Sequence, residues 1–159
     1  MSVRSFLIAV ICWFSFLSVA VTAEINPQKP GEKDKCPVCG MFIHKYPDWV
    51  GEIIFADGAV VFFDGAKDLF KYFFDLQKYA SSRTQKDIAA IFVTEYYDMN
   101  MIDARSAVFV IGSDIYGPMG HELIPFKSRE EAEEFKKDHK GRDILTFDQV
   151  KPAVIDKLD

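Results

Sequence analysis

The sequence is poor in cysteine, in histidine and in clustered basic charge. Three cysteines and three histidines occur in 159 residues. Three cysteines cannot build the disulfide-dense scaffold of a small secreted protein. No block of Lys and Arg is present, and 19 basic residues face 24 acidic ones, giving a formal net charge of −5. An acidic chain without a basic stripe lacks the electrostatic footprint of a nucleic-acid partner, so none is expected. Also missing are the G-x-S-x-G nucleophile elbow, the P-loop and the dinucleotide fingerprint. Carboxylates are plentiful, but Glu130, Glu131, Glu133 and Glu134 crowd together as a solvated helix face does. No catalytic constellation stands out, and the chain is not expected to be an enzyme.

What is present is core material. Hydrophobic residues make up 49 %, with 15 Phe, 6 Tyr and 2 Trp, enough for one well-filled core. The first 23 residues read as an address rather than as part of that core. Arg4 is their only charge, Phe6–Val21 is an apolar stretch, and Val21-Thr22-Ala23 sets small residues before a cleavage point. This is the pattern of a secretory signal peptide. The stretch is shorter than the ~20 residues of a membrane span, and no strong membrane signal follows it. Cys12 is preceded by Ile11, where a lipobox wants a small residue, and the apolar run continues past it. Lipoprotein anchoring is therefore not expected, and an exported, unanchored form is. Only Cys36 and Cys39 remain after cleavage, in a compartment where disulfides persist.

Residues 24–35 hold Pro27, Pro30, Gly31 and several charges, and read as a flexible arm. Ile53–Ala56 and Ala59–Phe63 are apolar runs separated by Asp57-Gly58, a strong hairpin signal. Asp64 is expected to N-cap a helix over 65–78, with Leu69, Phe70, Phe73 and Phe74 on one face. Ile88–Val93 reads as a strand. The order then repeats: a strand over Ala107–Ile111, a loop over Gly112–Gly120 and a strand over Glu122–Phe126. A helix starts at Ser128, with Glu131 completing a capping box, and ends at Gly141; Ile144–Phe147 is the last strand. The fold class is α+β, two ββαβ units with antiparallel hairpins. The lobes are placed at about 36–98 and 99–150, with a C-terminal tail over 151–159.

The densest chemical signal is Cys36-Pro37-Val38-Cys39-Gly40-Met41. Thiolate and thioether are soft donors, which suit Cu(I). Cys39 and Met41 are i and i+2, on one face of an extended segment. Gly117-Pro118-Met119-Gly120-His121 adds a second soft donor and an imidazole in a glycine-rich loop. The candidate metal ligands are Cys39, Met41, Met119, Cys36 and His121. Met99 and Met101 rank as core or surface residues first, and His139 as a helix C-terminal residue. Two other readings stay open. A zinc site would need His44 and His121 to complete its tetrahedron. A thiol–disulfide oxidoreductase would use Cys36 and Cys39, although such a motif normally opens a helix. A scaffolding module without metal is a third.

Taken together, these residues resemble the NosL family, the accessory proteins of nitrous oxide reductase. Further matching stretches are Phe62-Phe63-Asp64-Gly65, Lys67-Asp68-Leu69, Ile102–Ala107 and Val110-Ile111-Gly112-Ser113. The resemblance covers about residues 36–148. It implies a duplicated ββαβ fold and a periplasmic protein that delivers Cu(I). It also implies a partner, nitrous oxide reductase or its maturation machinery. The family's copper-binding cysteine and methionine fall on Cys39 and Met41.

Overall fold

Residues 24–159 are described in the structure, a computed structural model. The expected signal peptide and Cys12 lie outside the described residues. Strands β1 (Gly51–Phe55) and β2 (Val60–Phe63) form the hairpin expected from Asp57-Gly58. Gly58 has φ +84°, and Asp57 Oδ1 accepts from Ala59 N–H at 3.1 Å. Strand β3 (Ile88–Thr94) pairs with the other edge of β1, and β4 (Met101–Asp103) with β3. The second sheet is built from β5 (Val108–Gly117), β6 (Gly120–Phe126) and β7 (Asp143–Thr146). Sheet orders are β2-β1-β3-β4 and β6-β5-β7, antiparallel throughout. In both, the first strand is central and a helix precedes the third. The α+β class with antiparallel hairpins is thus the observed architecture.

Four boundaries differ from the sequence reading, each for a local reason. The expected helix over 65–78 is two helices, α1 (Ala66–Phe74) and α2 (Leu76–Tyr79). Asp75 leaves helical geometry, and its carboxylate accepts from Lys78 N–H at 3.1 Å, capping α2. The expected loop over 112–120 is mostly strand. Gly112 takes φ +72°, the register slips after Ile111, and pairing resumes at Tyr116 opposite His121. That bulge, with Ser113 and Asp114 inside it, hides the strand's alternation. Strand β4 lies beyond residue 98 yet closes the first sheet, so the lobe boundary follows Asp103. Finally, the expected tail carries α4 (Pro152–Ile155), which packs on α1 and buries Ile155 and Leu158.

The arm over 24–35 is extended but held. Gln28 N–H donates to both carboxylate oxygens of the buried Glu52, at 3.0 and 3.1 Å, and Lys35 bridges to Phe42. Helix α3 (Arg129–Asp138) starts as read, with Ser128 Oγ accepting from Glu131 N–H at 3.2 Å. Its end is a Schellman-type turn: Lys140 takes φ +56°, and Gly141 N–H donates to Lys136 O at 2.8 Å.

One core joins the two sheets. Phe70 of α1 meets Phe109 of β5 at 5.4 Å and Phe147 at 5.0 Å between ring centroids. Strand β5 alternates: Phe109 and Ile111 join that core, while Val110 joins Ile124, Phe126, Ala132 and Phe135 under α3. Helix α1 therefore lies at the junction of the lobes, and its N-terminus faces the cysteine loop.

Candidate metal centre

The Cys36–Met41 segment closes on itself. Cys36 N–H donates to Met41 O at 2.9 Å, and Gly40 N–H to Cys36 O at 2.8 Å. Gly40 makes the return at φ +81°, with open space where a Cβ would stand, so its need is conformational. The tight loop brings both sulfurs to the start of α1. Cys39 Sγ donates to Asp64 Oδ1 and Oδ2 at 3.2 and 3.3 Å. Cys36 Sγ donates to Asp68 Oδ2 at 3.3 Å. One donor atom from each of Cys36, Cys39, Asp64 and Asp68 lies within 4.8 Å of all the others. Asp68 lies in the first turn of α1 and Asp64 just ahead of its N-cap, and both carboxylates face the thiols.

Asp64 thus turns toward the thiols and does not cap α1. The cap position is Gly65, and the donor at Lys67 N–H is met from the other lobe by Glu122 Oε1 at 2.5 Å. Leu123 N–H donates to the same oxygen at 2.8 Å. A Cβ at Gly65 would stand 2.2 Å from Glu122 Oε2, so only glycine leaves room for this carboxylate. Burial pushes Glu122 up to about 8. The buried Lys67 sends its ammonium to Met119 O at 2.8 Å and Leu158 O at 3.0 Å. The turn carrying Met119 is therefore tied to the first turn of α1, which carries Asp68 and directly follows Asp64.

The electrostatics of the cluster favour neutral thiols. Cys36 is 1 % exposed and burial raises its pKa; burial likewise pushes Cys39 up to about 12. Both hold their protons near neutral pH and point them at carboxylates. An attacking redox thiol needs the opposite, a lowered pKa at a helix N-terminus. Here the motif forms a closed loop. Asp68 Oδ1 is buried without a hydrogen-bond partner, and Lys71 Nζ stands 3.7 Å from it. Two sulfurs and an unpartnered carboxylate oxygen give the cluster donor capacity that the protein itself does not use.

The other sequence candidates are placed as follows. Met41 closes the loop through its carbonyl, and its side chain is half-buried. Met119 sits with Pro118 in the turn between the paired Gly117 and Gly120, 44 % exposed. His121 does not join the cluster: it is exposed on β6, its ring 4.8 Å from that of Tyr116. His44 lies in a short helical turn, Ile43–Lys45, and is also outside the cluster. His139, as read, follows the end of α3, where Nδ1 meets Asp114 Oδ1 at 3.1 Å. Asp64 and Asp68 were not expected as site residues. The available signal was their i, i+4 spacing at the start of an amphipathic helix.

The sequence model of the NosL family matches residues 27–155. The chain belongs to the NosL family. Among NosL relatives, the Copper-binding lipoprotein NosL of Stutzerimonas stutzeri is 26 % identical over 136 residues, 85 % of this chain and 71 % of that one. The crystal structure of the copper chaperone NosL from Shewanella denitrificans superposes with a TM-score of 0.68 at 27 % identity, covering 80 % of this chain and 97 % of that one. The solution structure of apo-NosL from Achromobacter cycloclastes covers 66 % and 87 % at 26 % identity, with a TM-score of 0.47. The S. stutzeri relative is a lipoprotein by name, so the expectation of an unanchored form gains no support from it. No helix among the described residues is long and apolar enough to cross a membrane.

Proposed function

We propose that this chain is an exported copper carrier that holds Cu(I) as cargo and passes it on by ligand exchange. The observation that carries this reading is the convergence of two thiols and two carboxylates at one point. Family membership and the copper-binding relatives support the choice of metal. Cys39 is the principal thiolate, Met41 the thioether from the same loop, and Cys36 the third sulfur, preferred to His121 because it shares the cluster. Sulfur donors of these two kinds select Cu(I) over harder ions. Met119, exposed on a turn anchored by Lys67, suits a donor engaged at handover.

The carboxylates give the chemistry its proton path. Each thiol proton points at an aspartate oxygen, so copper entry displaces it from sulfur through carboxylate to solvent. Ligands that must lose a proton make apparent affinity fall as pH falls. A site of low coordination keeps one side of the metal open. A partner donor adds there before Cys39 and Met41 let go. We assign the receiving side to nitrous oxide reductase or its maturation machinery, and the location to the periplasm, reached through the signal of residues 1–23. The carrier role makes no demand for catalysis.

A Cu(I) competition titration tests the assignment. Cys39→Ser and Met41→Leu should each weaken binding, Cys39→Ser more. Wild-type affinity in both variants would refute it. The two-thiol, two-carboxylate donor set also suits Zn(II). That second reading requires tight Zn(II) binding that survives Met41→Leu.

A further inference from the structure

A second group of soft donors lies apart from the thiol cluster. His44, Met99 and Met101 line one cavity of about 360 Å³, walled further by Pro47, Val50 and Thr94. They come from three segments: the Ile43–Lys45 turn, the loop after β3, and the first residue of β4. We infer that this cavity is a second site for a soft monovalent cation, Cu(I) or Ag(I), held by two thioethers and one imidazole.

The donor chemistry selects the class of ion. Neither thiol nor carboxylate lines the cavity, and Lys29 is the only charged side chain among its described lining residues. A hard dication would find no anionic oxygen. A soft monovalent ion needs none, and thioether and imidazole are donors it accepts.

Packing does not account for Met99. Its side chain is 51 % exposed, and its backbone takes φ +55°, the left-handed region that disfavours residues with a Cβ. The surrounding loop enforces that conformation. Met99 N–H donates to Glu95 O at 3.1 Å, and Glu95 N–H to Asn100 O at 2.8 Å. Glu95 Oε2 accepts from Tyr97 and Asp98 N–H at 2.9 and 2.6 Å. An unfavourable backbone held in place to display a thioether marks a site rather than a core.

Met101 keeps its donor capacity. Its Sδ lies 3.3 Å from Thr94 Oγ1, but the same hydroxyl lies 2.9 Å from Val50 O. A hydroxyl has one proton. The carbonyl is the nearer and stronger acceptor and takes it, which leaves the sulfur lone pairs available. The remaining wall is the arm, Gln28 to Pro30, fixed in place by the hydrogen bonds from Gln28 N–H to Glu52. The site uses none of the four residues of the thiol cluster and stands whether or not that cluster binds copper. Its donors are all neutral, so it binds more weakly than a thiolate site and exchanges more readily.

The test is an Ag(I) titration of the mature protein, followed by the methionine methyl signals in carbon–proton NMR, with Met99→Leu and Met101→Leu giving the assignments. In the wild type, the Met99 and Met101 methyls should shift together with the second equivalent. In Cys36→Ser/Cys39→Ser they should shift with the first. His44→Gln should weaken that binding at least tenfold. Two results would overturn the proposal. One is Met99 and Met101 signals that stay still through two equivalents. The other is a Met99 shift untouched by His44→Gln, which would mean a lone exposed thioether. Failure of the thiol site would show separately, as a wild type that behaves like the double cysteine variant.

Discussion

Glu122→Gln should remove a pH dependence of stability that the fold builds in. The Glu122 carboxylate is buried at the lobe junction, and among the described residues no cationic side chain forms an ion pair with it. Lys67 turns its ammonium to two backbone carbonyls and to Asp159, 3.5 Å away. Burial raises Glu122 from 4.5 to about 8. An acid whose folded pKa is raised holds a proton that the unfolded chain has lost. Its stabilisation is complete below about pH 4.5 and is lost as pH rises through about 8. At ~1.4 kcal/mol per unit the full loss is on the order of 5 kcal/mol. Glu52 is raised by burial in the same direction, to about 7, so its share is lost at lower pH. From pH 7 to 8 Glu122 should cost the wild type about 1 kcal/mol, and Glu52 a smaller share of roughly 0.3–0.4 kcal/mol. With an m-value of about 1–3 kcal/mol/M, the Glu122 share should lower the urea midpoint by roughly 0.3–1 M. Glutamine cannot ionise, so in Glu122→Gln only the smaller Glu52 share of the drop should remain. A midpoint in the variant that falls as far as in the wild type would refute the reasoning.

Gly65→Ala should destabilise by about 1–3 kcal/mol through overpacking, since its Cβ would stand 2.2 Å from Glu122 Oε2. A thermal melt of the variant that matches the wild type would contradict this. Truncation before Pro152 removes the buried Ile155 and Leu158. At roughly 1.5–3 kcal/mol for each side chain, the melting temperature should fall sharply, whereas a dispensable tail predicts no change.

Much of the fold was legible because its local signals agree. Asp57-Gly58 sets the first hairpin, Ser128 starts α3, and the apolar face of α1 shows at helical spacing. The parts that were not legible depend on partners distant in sequence. The strand over 112–117 hides behind a bulge at Gly112, which breaks the alternation that betrays a strand. The last nine residues look like a tail until α1 is there to cover them. The arm looks loose until Glu52 is seen to receive it. At the site, the sulfur half was readable from Cys36, Cys39 and Met41 in one segment. The carboxylate half was not. Asp64 carries the ordinary N-cap pattern, and only the approach of Glu122 from the other lobe frees it to face Cys39. His121 shows the converse: its neighbourhood to Met119 suggested a ligand, but it lies outside the cluster on an exposed strand position.

Cys39 and its loop are proposed to hold copper through sulfur. X-ray absorption on the Cu(I)-loaded mature protein counts those donors directly. The expected shell is dominated by sulfur, with the sulfur count reduced in Cys39→Ser and again in Met41→Leu. A shell of nitrogen and oxygen donors, unchanged by either substitution, would contradict it.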